Sequence, residues 1–420
     1  MININSNIRL HYLPFEKLKT TVMGVYIHRP LNEDEASYNA LLPYVLKRGC
    51  ALCPDTETLS EYLENLYGAS IRAGVPKTGE DQTIYIEADV INDRYSPENE
   101  PLLLKTADLL LSVLFEPVLE NGAFRSDFVN QEKKVAKERI EAVKNDKRTY
   151  AMIRCREEMC KGEPFAVSEY GTLEGIDKIT PEALYAHYRK IITSSVIDIY
   201  VCGECDTEGL KELIAKKTDG MVFNEAYIPR TEISRAKDEV KKVVEKMDVA
   251  QGKMAIGFKT NINPDSKEYP ALRVMNSIFG AGAHSKLFNN VREKLSLAYY
   301  ASSSLTASKG LLTVNSGIEF KNFEKAYDET LVQLENIKNG DISDEEFNSS
   351  VSAIINSLEA LKDDQRALQR YYNSNAVLGL ETDIEADKRA ILQVTKSDAS
   401  DAAKKLVLDT VYFLTGKEEA

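Results

Sequence analysis

The feature that most constrains how this chain can fold is an internal repeat. Two parts of the 420-residue sequence match each other at a constant offset of 231 residues. The matching residues are Tyr38 with Tyr269, Gly49 with Gly280, Leu66 with Leu297, and Gly79 with Gly310. Self-similarity at a fixed spacing is typical of a duplicated structural unit. The sequence therefore predicts two lobes with similar folds.

The order of the predicted elements is the same in both halves. Each half has a β-rich segment, two helical segments with apolar periodicity, two further strands and then long helices rich in charged residues. The first strand and the two helices are predicted at 20–28, 38–48 and 57–68 in the first half, and at 253–260, 269–280 and 285–295 in the second. We therefore expect an α+β fold in which two duplicated lobes, each a mostly antiparallel sheet covered by helices, form a clamshell.

A stretch without sustained apolar periodicity marks the boundary between the lobes. It predicts an N-terminal lobe at 1–222, a linker at 223–240 and a C-terminal lobe at 241–420. A chain of this length is sufficient for two domains, each of which can bury a core of its own.

The charge of the chain argues against a nucleic-acid or membrane partner. The sequence has 53 Lys and Arg against 66 Asp and Glu, a net charge of −13, whereas broad binding of nucleic acid or anionic membranes requires basic surfaces. No segment approaches 18 consecutive apolar residues, and the N-terminal sequence has no basic region followed by an apolar run. We expect a cytoplasmic protein that contacts neither nucleic acid nor membrane.

Short metal-binding motifs are scarce. The four histidines are too far apart for a two-histidine zinc motif on one helix. They are His11, His28, His187 and His284. The six cysteines form three close pairs, and two of these pairs, at 50–53 and 202–205, have C-x-x-C spacing. Each of the two is interpreted either as a pair of buried thiols or, if the pairs meet, as half of a Cys₄ zinc site.

A helix near the N-terminus carries the first part of a resemblance to a known family. The segment from Tyr38 to Gly49, YNALLPYVLKRG, is similar to the zinc-binding helix of the pitrilysin/insulinase family of zinc peptidases, the inverzincins, which carries H-x-x-E-H. With Gly49 aligned, Ala40, Pro43 and Tyr44 stand where the family has His, Glu and His. Alanine and proline cannot bind zinc, and a phenol is a poor substitute for an imidazole. The resemblance extends over nearly the whole chain.

A second helix of the first half resembles the one that carries the family's remaining metal ligand. The segment from Glu132 to Ile140, EKKVAKERI, is similar to E-x-x-V-x-x-E-E-I. The ligand position falls on Arg139, whose positive charge repels a metal ion, while Glu132 and Glu138 are retained. The resemblance therefore implies a degenerate zinc site and no bound metal in this chain.

The second half retains a different family motif. The segment from Ser285 to Tyr299, SKLFNNVREKLSLAY, is similar to S-x-L-F-x-x-x-R-E-K-x-G-L-A-Y. In the family this arginine and tyrosine bind substrate carbonyls and stabilise the oxyanion at the zinc site, which implies the same roles for Arg292 and Tyr299. The alternative is that Arg292 pairs with Glu293 or another surface acid and that Tyr299 only packs.

The resemblance also implies a partner. Bacterial members of the family often work as two chains, one with H-x-x-E-H and one with the arginine and tyrosine. This chain is similar to the second kind, which has no cofactor of its own and acts on a peptide substrate together with a homologous chain that carries an intact H-x-x-E-H motif and zinc. Two alternatives stay open: a repurposed peptide-binding or scaffold protein without a peptidase partner, and a metalloenzyme whose cysteines hold zinc.

Overall fold

The chain forms two compact units, each assembled from segments that are not continuous in sequence. The computed structural model describes residues 1–235 and 239–417. Unit 1 comprises Met1–Glu141, Val167–Arg230 and Leu361–Val377, and unit 2 comprises Ala142–Ala166, Thr231–Ala360 and Leu378–Ala420. Residues 236–238 of the predicted linker 223–240 and residues 418–420 of the predicted C-terminal lobe lie outside the described residues. The division of the sequence at 222 and 241 stays a prediction.

The strands of the described residues fall into two large sheets and one short hairpin. In chain order they are β1 (Ile2–Asn3), β2 (Ile8–Pro14), β3 (Thr20–Pro30), β4 (Ser70–Gly74), β5 (Lys77–Thr78), β6 (Asp81–Ile91), β7 (Leu119–Glu120), β8 (Ala123–Phe124), β9 (Val196–Gly203), β10 (Lys241–Lys246), β11 (Gly252–Lys259), β12 (Ala298–Thr306), β13 (Leu311–Ile318) and β14 (Val407–Thr415).

Helices connect these strands in both units. In chain order they are α1 (Glu33–Leu46), α2 (Thr56–Asn65), α3 (Leu102–Phe115), α4 (Ser126–Val143), α5 (Lys147–Met159), α6 (Leu173–Lys178), α7 (Pro181–Ser194), α8 (Thr207–Lys217), α9 (Tyr269–Phe279), α10 (Phe323–Lys338), α11 (Asp344–Ala360), α12 (Gln365–Leu378), α13 (Ile384–Leu392) and α14 (Lys396–Lys404). One further segment, Leu287–Lys294, is a π-helix. Within the described ranges, no helix has both the length and the apolar character needed to span a membrane.

Unit 1 is built on a seven-stranded sheet. Its strands lie in the order β1-β2-β9-β3-β6-β4, and β5 also pairs with β6. β2 and β9 run parallel, whereas the other neighbours run antiparallel. Alternate residues of a strand point to opposite faces of its sheet. On one face Met23, Val25 and Ile27 of β3 pack into a buried core with apolar residues of α1, α3 and α7.

Unit 2 repeats this arrangement. Its five strands lie in the order β10-β14-β11-β13-β12, with β10 and β14 parallel and the other neighbours antiparallel. In unit 1 the series β2-β9-β3-β6-β4 likewise has one parallel pair, and in both units this pair is formed by the first two strands of the series. The helices that follow the equivalent strands β3 and β11 also correspond, because α1 contacts β4 and α9 contacts β12. The predicted α+β fold, with duplicated, mostly antiparallel sheets covered by helices, is confirmed.

One helix in each unit comes from the other half of the sequence. α5 precedes the first strand of unit 2 along the chain but packs on β11 and β14, where Gly257 leaves space for Met159; a Cβ at Gly257 would lie 2.2 Å from the Met159 sulfur. α12 comes from the second half but packs on the sheet of unit 1, where the Gln369 amide donates to the Val22 carbonyl at 2.8 Å. Each unit therefore includes a helix from outside its own repeat.

Candidate functional site

The degenerate zinc positions of the first helix lie in unit 1. α1 begins after Asn32, whose side chain accepts a hydrogen bond from the Glu35 N–H at 2.9 Å and so caps the helix. Ala40 and Pro43 are buried in this helix, and Tyr44 is half-buried. Alanine and proline side chains have no donor atom for a metal. Only Tyr44 of the three positions presents a polar side chain.

Arg139 of α4 lies over the ring of Tyr44. The guanidinium carbon is 3.9 Å from the ring centroid, which is a cation–π contact. Burial raises the pKa of Tyr44, and the positive charge of Arg139 acts in the opposite direction. The phenol is therefore protonated at neutral pH. Two of the three residues that the resemblance places at metal-ligand positions therefore contact each other.

The two retained glutamates of α4 have different surroundings. Glu132 is buried, and its Oε1 accepts a hydrogen bond from Arg48 Nε at 2.6 Å. A terminal nitrogen of the same guanidinium lies 2.5 Å from that oxygen. Glu138 is exposed. The carboxylate that faces the interior is thus neutralised by an arginine of this chain.

The side chains at this place do not fit a zinc ion. Zinc sites in proteins use thiolate, imidazole and carboxylate ligands, whereas the positions here hold Ala40, a protonated Tyr44, a cationic Arg139 and a Glu132 that is already paired. In residues 1–235 and 239–417 there is no group of three or more His, Cys, Asp or Glu side chains that could hold a metal ion. The residues at these four positions therefore do not form a zinc site.

Two further tyrosines of unit 1 interact electrostatically with Tyr44. Burial is the main cause of the raised pKa of both Tyr85 and Tyr170, and the Tyr44 phenol raises each of them further. The ring of Tyr85 lies over Gly74 of the neighbouring strand, where a Cβ would be 2.5 Å from it. All three tyrosines are half-buried.

The second family motif lies in unit 2. The helix predicted at 285–295 is present, and over Leu287–Lys294 it is π-helical: the Leu295 N–H donates to the Asn290 carbonyl, five residues back, at 3.0 Å. The Arg292 guanidinium carbon lies 4.6 Å from the centroid of the Phe288 ring, and its Nε lies 3.5 Å from Glu293 Oε1. The side chains of that ion pair are 40% and 56% exposed, so the pair is weak.

Tyr299 is held in a backbone irregularity at the start of β12. The pairing of β12 with β13 shifts register between Ala298 and Tyr300, which leaves Tyr299 in a β-bulge. Its side chain is 62% exposed. Ser296, at the position of the motif's glycine, has a φ of +51°, in the left-handed region that favours glycine. Ser296 thus adopts a backbone conformation that a glycine, the residue of the motif at this position, takes up more easily.

The cysteines and the buried histidines do not form a metal site in the part of the chain that the structure describes. All six cysteines are free, and Cys50, Cys53 and Cys202 are buried. Burial raises the pKa of Cys53 to about 11 and that of Cys202 to about 12, so both are thiols at neutral pH. These observations favour the interpretation of the C-x-x-C pairs as buried thiols.

A buried charge network in unit 1 was not predicted from the sequence. His28 is fully buried, with Nδ1 3.0 Å from Asp81 Oδ2 and Nε2 3.2 Å from Asp198 Oδ2. Asp198 also accepts hydrogen bonds from Arg9 and lies 2.7 Å from His11 Nε2. Burial acts to lower the pKa of His28, but the two carboxylates outweigh it and raise the pKa to about 9. The network lies on the sheet face opposite the apolar core.

Known proteins are similar to this chain in sequence and share its fold. A two-unit α+β fold whose zinc-binding helix lacks its ligands defines a relative of zinc peptidases. Residues 178–354 match the family model described as the Peptidase M16 inactive domain. The chain is also 40% identical over 422 residues to the probable inactive metalloprotease YmfF of Bacillus subtilis, an alignment that covers 99% of this chain and 97% of the relative. The chain therefore belongs to the M16 family of metallopeptidases, which confirms the family resemblance.

Two solved structures resemble the chain over nearly its whole length. A conserved protein from Enterococcus faecalis superposes with a TM-score of 0.91 at 29% identity and covers 100% of this chain and 99% of its own. A peptidase M16 inactive domain from Pseudomonas fluorescens superposes with a TM-score of 0.79 at 16% identity and covers 98% of this chain and 97% of its own. The fold is common to all three proteins.

The sequence motifs did not predict which residues replace the metal environment. Arg48 neutralises Glu132, and its only signal in the sequence is its position next to Gly49 at the end of the motif. Tyr85 and Tyr170 belong to a strand and a loop that lie outside the motifs. Pairs of this kind depend on tertiary packing, which a motif in one segment does not specify.

Proposed function

We propose that this chain is a non-catalytic subunit of a two-chain M16-type metallopeptidase. A homologous partner chain with an intact H-x-x-E-H motif holds zinc and cleaves a peptide substrate, and this chain supplies Arg292 and Tyr299. The observation that carries the proposal is a contrast within the chain. The degenerate zinc position is filled by Arg139 on Tyr44, whereas Arg292 and Tyr299 stay accessible.

Arg292 and Tyr299 have the chemistry that peptide hydrolysis requires from a supporting subunit. A guanidinium donates several hydrogen bonds in a fixed plane and can hold the carbonyl groups of a peptide. A phenol donates a hydrogen bond to the negative charge that develops on the attacked carbonyl oxygen. Both groups gain strength when a partner and a substrate exclude water from them.

The isolated chain is expected to be inactive and free of metal at the family position. Ala40 and Pro43 can neither bind zinc nor act as a base, and the cation of Arg139 repels a metal ion. A hydrolytic water therefore has no activating group in this chain. The zinc of the assembled enzyme belongs to the partner.

The expected surroundings of the protein follow from its thiols and its charge. Six free cysteines, five of them buried, are compatible with a reducing compartment. The net charge of −13 disfavours nucleic acid and anionic membranes as partners. We place the protein in the cytoplasm, in contact with a homologous chain and a peptide.

A second candidate function is a peptide-binding or scaffold protein without a peptidase partner. The observation that favours it is the internal pairing of Arg292, which lies against Phe288 and Glu293 and so has partners within its own chain. In this alternative the motif only shapes the surface of unit 2.

Co-purification distinguishes the two functions. The tagged full-length chain is isolated from its native cell, bound proteins are identified by mass spectrometry, and the chain, the partner and the complex are each assayed with quenched fluorescent peptides. We expect a homologue with H-x-x-E-H to co-purify and peptide cleavage to require both chains. If no such homologue is bound, and a homologue from the same cell cleaves peptides equally well without this chain, the scaffold function is the better account.

A further inference from the structure

The π-helix of unit 2 is held in one orientation by residues that point into the protein. Leu287 and Val291 are fully buried in the core of unit 2. Between them, the Asn290 amide donates to Gln333 Oε1 of α10 at 2.7 Å, and Gln333 is itself buried. Side chains four residues apart on a helix are neighbours on its surface. The positions that directly follow the two core residues are therefore expected to lie side by side on the next face of this helix.

Phe288 and Arg292 occupy these two positions and contact each other. The guanidinium carbon of Arg292 lies 4.6 Å from the centroid of the Phe288 ring, which is a cation–π contact. The Phe288 N–H donates to the hydroxyl of the buried Ser285 at 3.4 Å, so the backbone beneath the ring is anchored. Arginine is a long side chain that loses much rotational freedom when it is ordered. The ring is thus the fixed member of this pair, and it orders the guanidinium.

The partners of Arg292 leave its terminal nitrogens open. The Phe288 ring covers one face of the guanidinium, and Glu293 Oε1 lies 3.5 Å from Nε in a solvent-exposed pair that contributes little. Within residues 1–235 and 239–417, no other carboxylate lies within 4.0 Å of this guanidinium. The two terminal nitrogens form the planar fork that recognises carbonyl and carboxylate oxygens. The plane of the group is therefore held while its fork remains available.

We propose that Phe288 is a positioning residue for Arg292, whose ring holds the guanidinium so that the terminal nitrogens face the carbonyl groups of a bound peptide. A guanidinium that is already ordered loses less side-chain entropy when the peptide binds. The peptide as ligand rests on the proposed function, whereas the ring contact is a property of unit 2 alone. Phe288 acts through Arg292 and takes no part in the chemistry itself.

The first test measures the ring contact in the isolated full-length chain. Arginine is isotopically labelled, and the Nε–Hε signal of Arg292 is assigned by its loss in Arg292→Lys. A proton held over an aromatic ring has its NMR signal displaced by the ring current. We expect Phe288→Leu, which keeps an apolar side chain, to abolish this displacement and Phe288→Tyr, which keeps the ring, to retain it. An Arg292 signal at the same position in the wild type and in Phe288→Leu overturns the proposal.

The second test measures peptide cleavage by the proposed two-chain complex. Phe288→Leu is expected to lower kcat/KM about threefold to tenfold, the effect of ordering one long side chain, whereas Phe288→Tyr is expected to stay within about twofold of the wild type. The matched control is Tyr327→Leu, which removes a ring whose centroid lies 5.8 Å from Lys242 Nζ in the same unit and is expected to change kcat/KM by less than about twofold. Should Phe288→Leu unfold, as judged by circular dichroism, Phe288→Met takes its place.

The variants separate this inference from the proposed function. If Arg292→Ala lowers the rate but Phe288→Leu does not, only the positioning role is lost. Equal losses in Phe288→Tyr and Phe288→Leu, or a control as impaired as Phe288→Leu, would show that the ring is not the cause and also overturn that role. If Arg292→Ala leaves the rate unchanged as well, the proposed function itself is wrong and the positioning role falls with it.

Discussion

The two family motifs of this chain differ in how strongly their side chains interact with other residues of the chain. In unit 1, Tyr44 and Arg139 contact each other and Glu132 is neutralised by Arg48. In unit 2, Tyr299 stays 62% exposed in a bulge, and Arg292 lies against the Phe288 ring and in a solvent-exposed ion pair with Glu293. The comparison teaches that two motifs of one family can differ in accessibility within a single chain: Tyr44, Arg139 and Glu132 have partners inside unit 1, whereas Arg292 and Tyr299 remain open to solvent.

The largest expected effect concerns the exposed motif. Within the proposed two-chain complex, Arg292→Ala or Tyr299→Phe is expected to lower kcat/KM by about 100- to 1000-fold without weakening assembly, because loss of one oxyanion donor has effects of about that size. Peptide cleavage and analytical ultracentrifugation measure the two properties separately.

The control for this pair is Lys404→Ala in the same unit. Lys404 is an exposed cation that pairs with Asp401, so its removal is expected to change neither rate nor assembly. If complexes with Arg292→Ala and with Tyr299→Phe assemble and cleave peptide at the wild-type rate, the proposed role of these two residues in catalysis is wrong.

The next prediction concerns a buried basic residue that has different partners in the two repeats. His28 and Lys259 are related by the 231-residue offset and both are buried, but His28 lies between two carboxylates, whereas Lys259 donates to the Met159 carbonyl. Because the folded pKa of about 9 exceeds the ordinary value of 6.5, the stabilisation by His28 is fully present below pH 6.5 and is lost as the pH rises through 9. The free energy of unfolding is expected to fall by about 3 kcal/mol over this range.

Urea unfolding measures this loss at pH values from about 6 to about 9.5, in steps of about half a pH unit. The variant His28→Gln has no group that titrates here, so its free energy of unfolding is expected to be lower at pH 6 and to show a smaller slope. An unchanged slope in His28→Gln would assign the pH dependence to other groups.

A smaller effect distinguishes the two retained glutamates. Glu132→Ala removes the partner of Arg48 inside the protein and is expected to lower the free energy of unfolding by about 1–3 kcal/mol. Glu138→Ala changes an exposed residue of the same helix and is expected to stay within about 0.5 kcal/mol. Equal effects of the two substitutions in urea unfolding would show that the buried pair does not stabilise unit 1.

The smallest effect concerns the ring beneath Arg139. Tyr44→Phe keeps the ring and is expected to change the free energy of unfolding by less than about 0.5 kcal/mol. Tyr44→Leu loses the cation–π contact and is expected to cost about 1 kcal/mol more. If thermal unfolding gives the same result for both, the stacked guanidinium contributes nothing to stability.

The sequence was sufficient to predict the duplication and the order of the elements along the chain. The 231-residue offset predicted the equivalence of α1 with α9, and the strand orders of the two sheets confirm it. It did not predict that α5 and α12 each pack on the sheet of the unit formed mainly by the other repeat. Apolar periodicity shows that a helix has a face to bury, but not which of two similar sheets covers it.

The candidate site divides in the same way. Motif alignment predicted that Ala40, Pro43, Tyr44 and Arg139 replace the family's catalytic residues, since that requires only positions in the sequence. The stacking of Arg139 on Tyr44 joins residues 95 positions apart and depends on how α4 packs beside α1. The π-helix over Leu287–Lys294 was also not predicted from the sequence. Nor was the positive φ of Ser296, because serine does not indicate a left-handed backbone conformation.

The most direct test of the central claim is the zinc content of the isolated full-length chain. The protein is purified without chelators, dialysed against buffer with a trace of zinc, and measured by inductively coupled plasma mass spectrometry together with a variant in which the cysteines of both C-x-x-C pairs are replaced by serine. A chain whose zinc position is occupied by Arg139 on Tyr44 is expected to contain far less than one zinc per molecule in both forms. One zinc per molecule that survives the cysteine replacements would contradict the account.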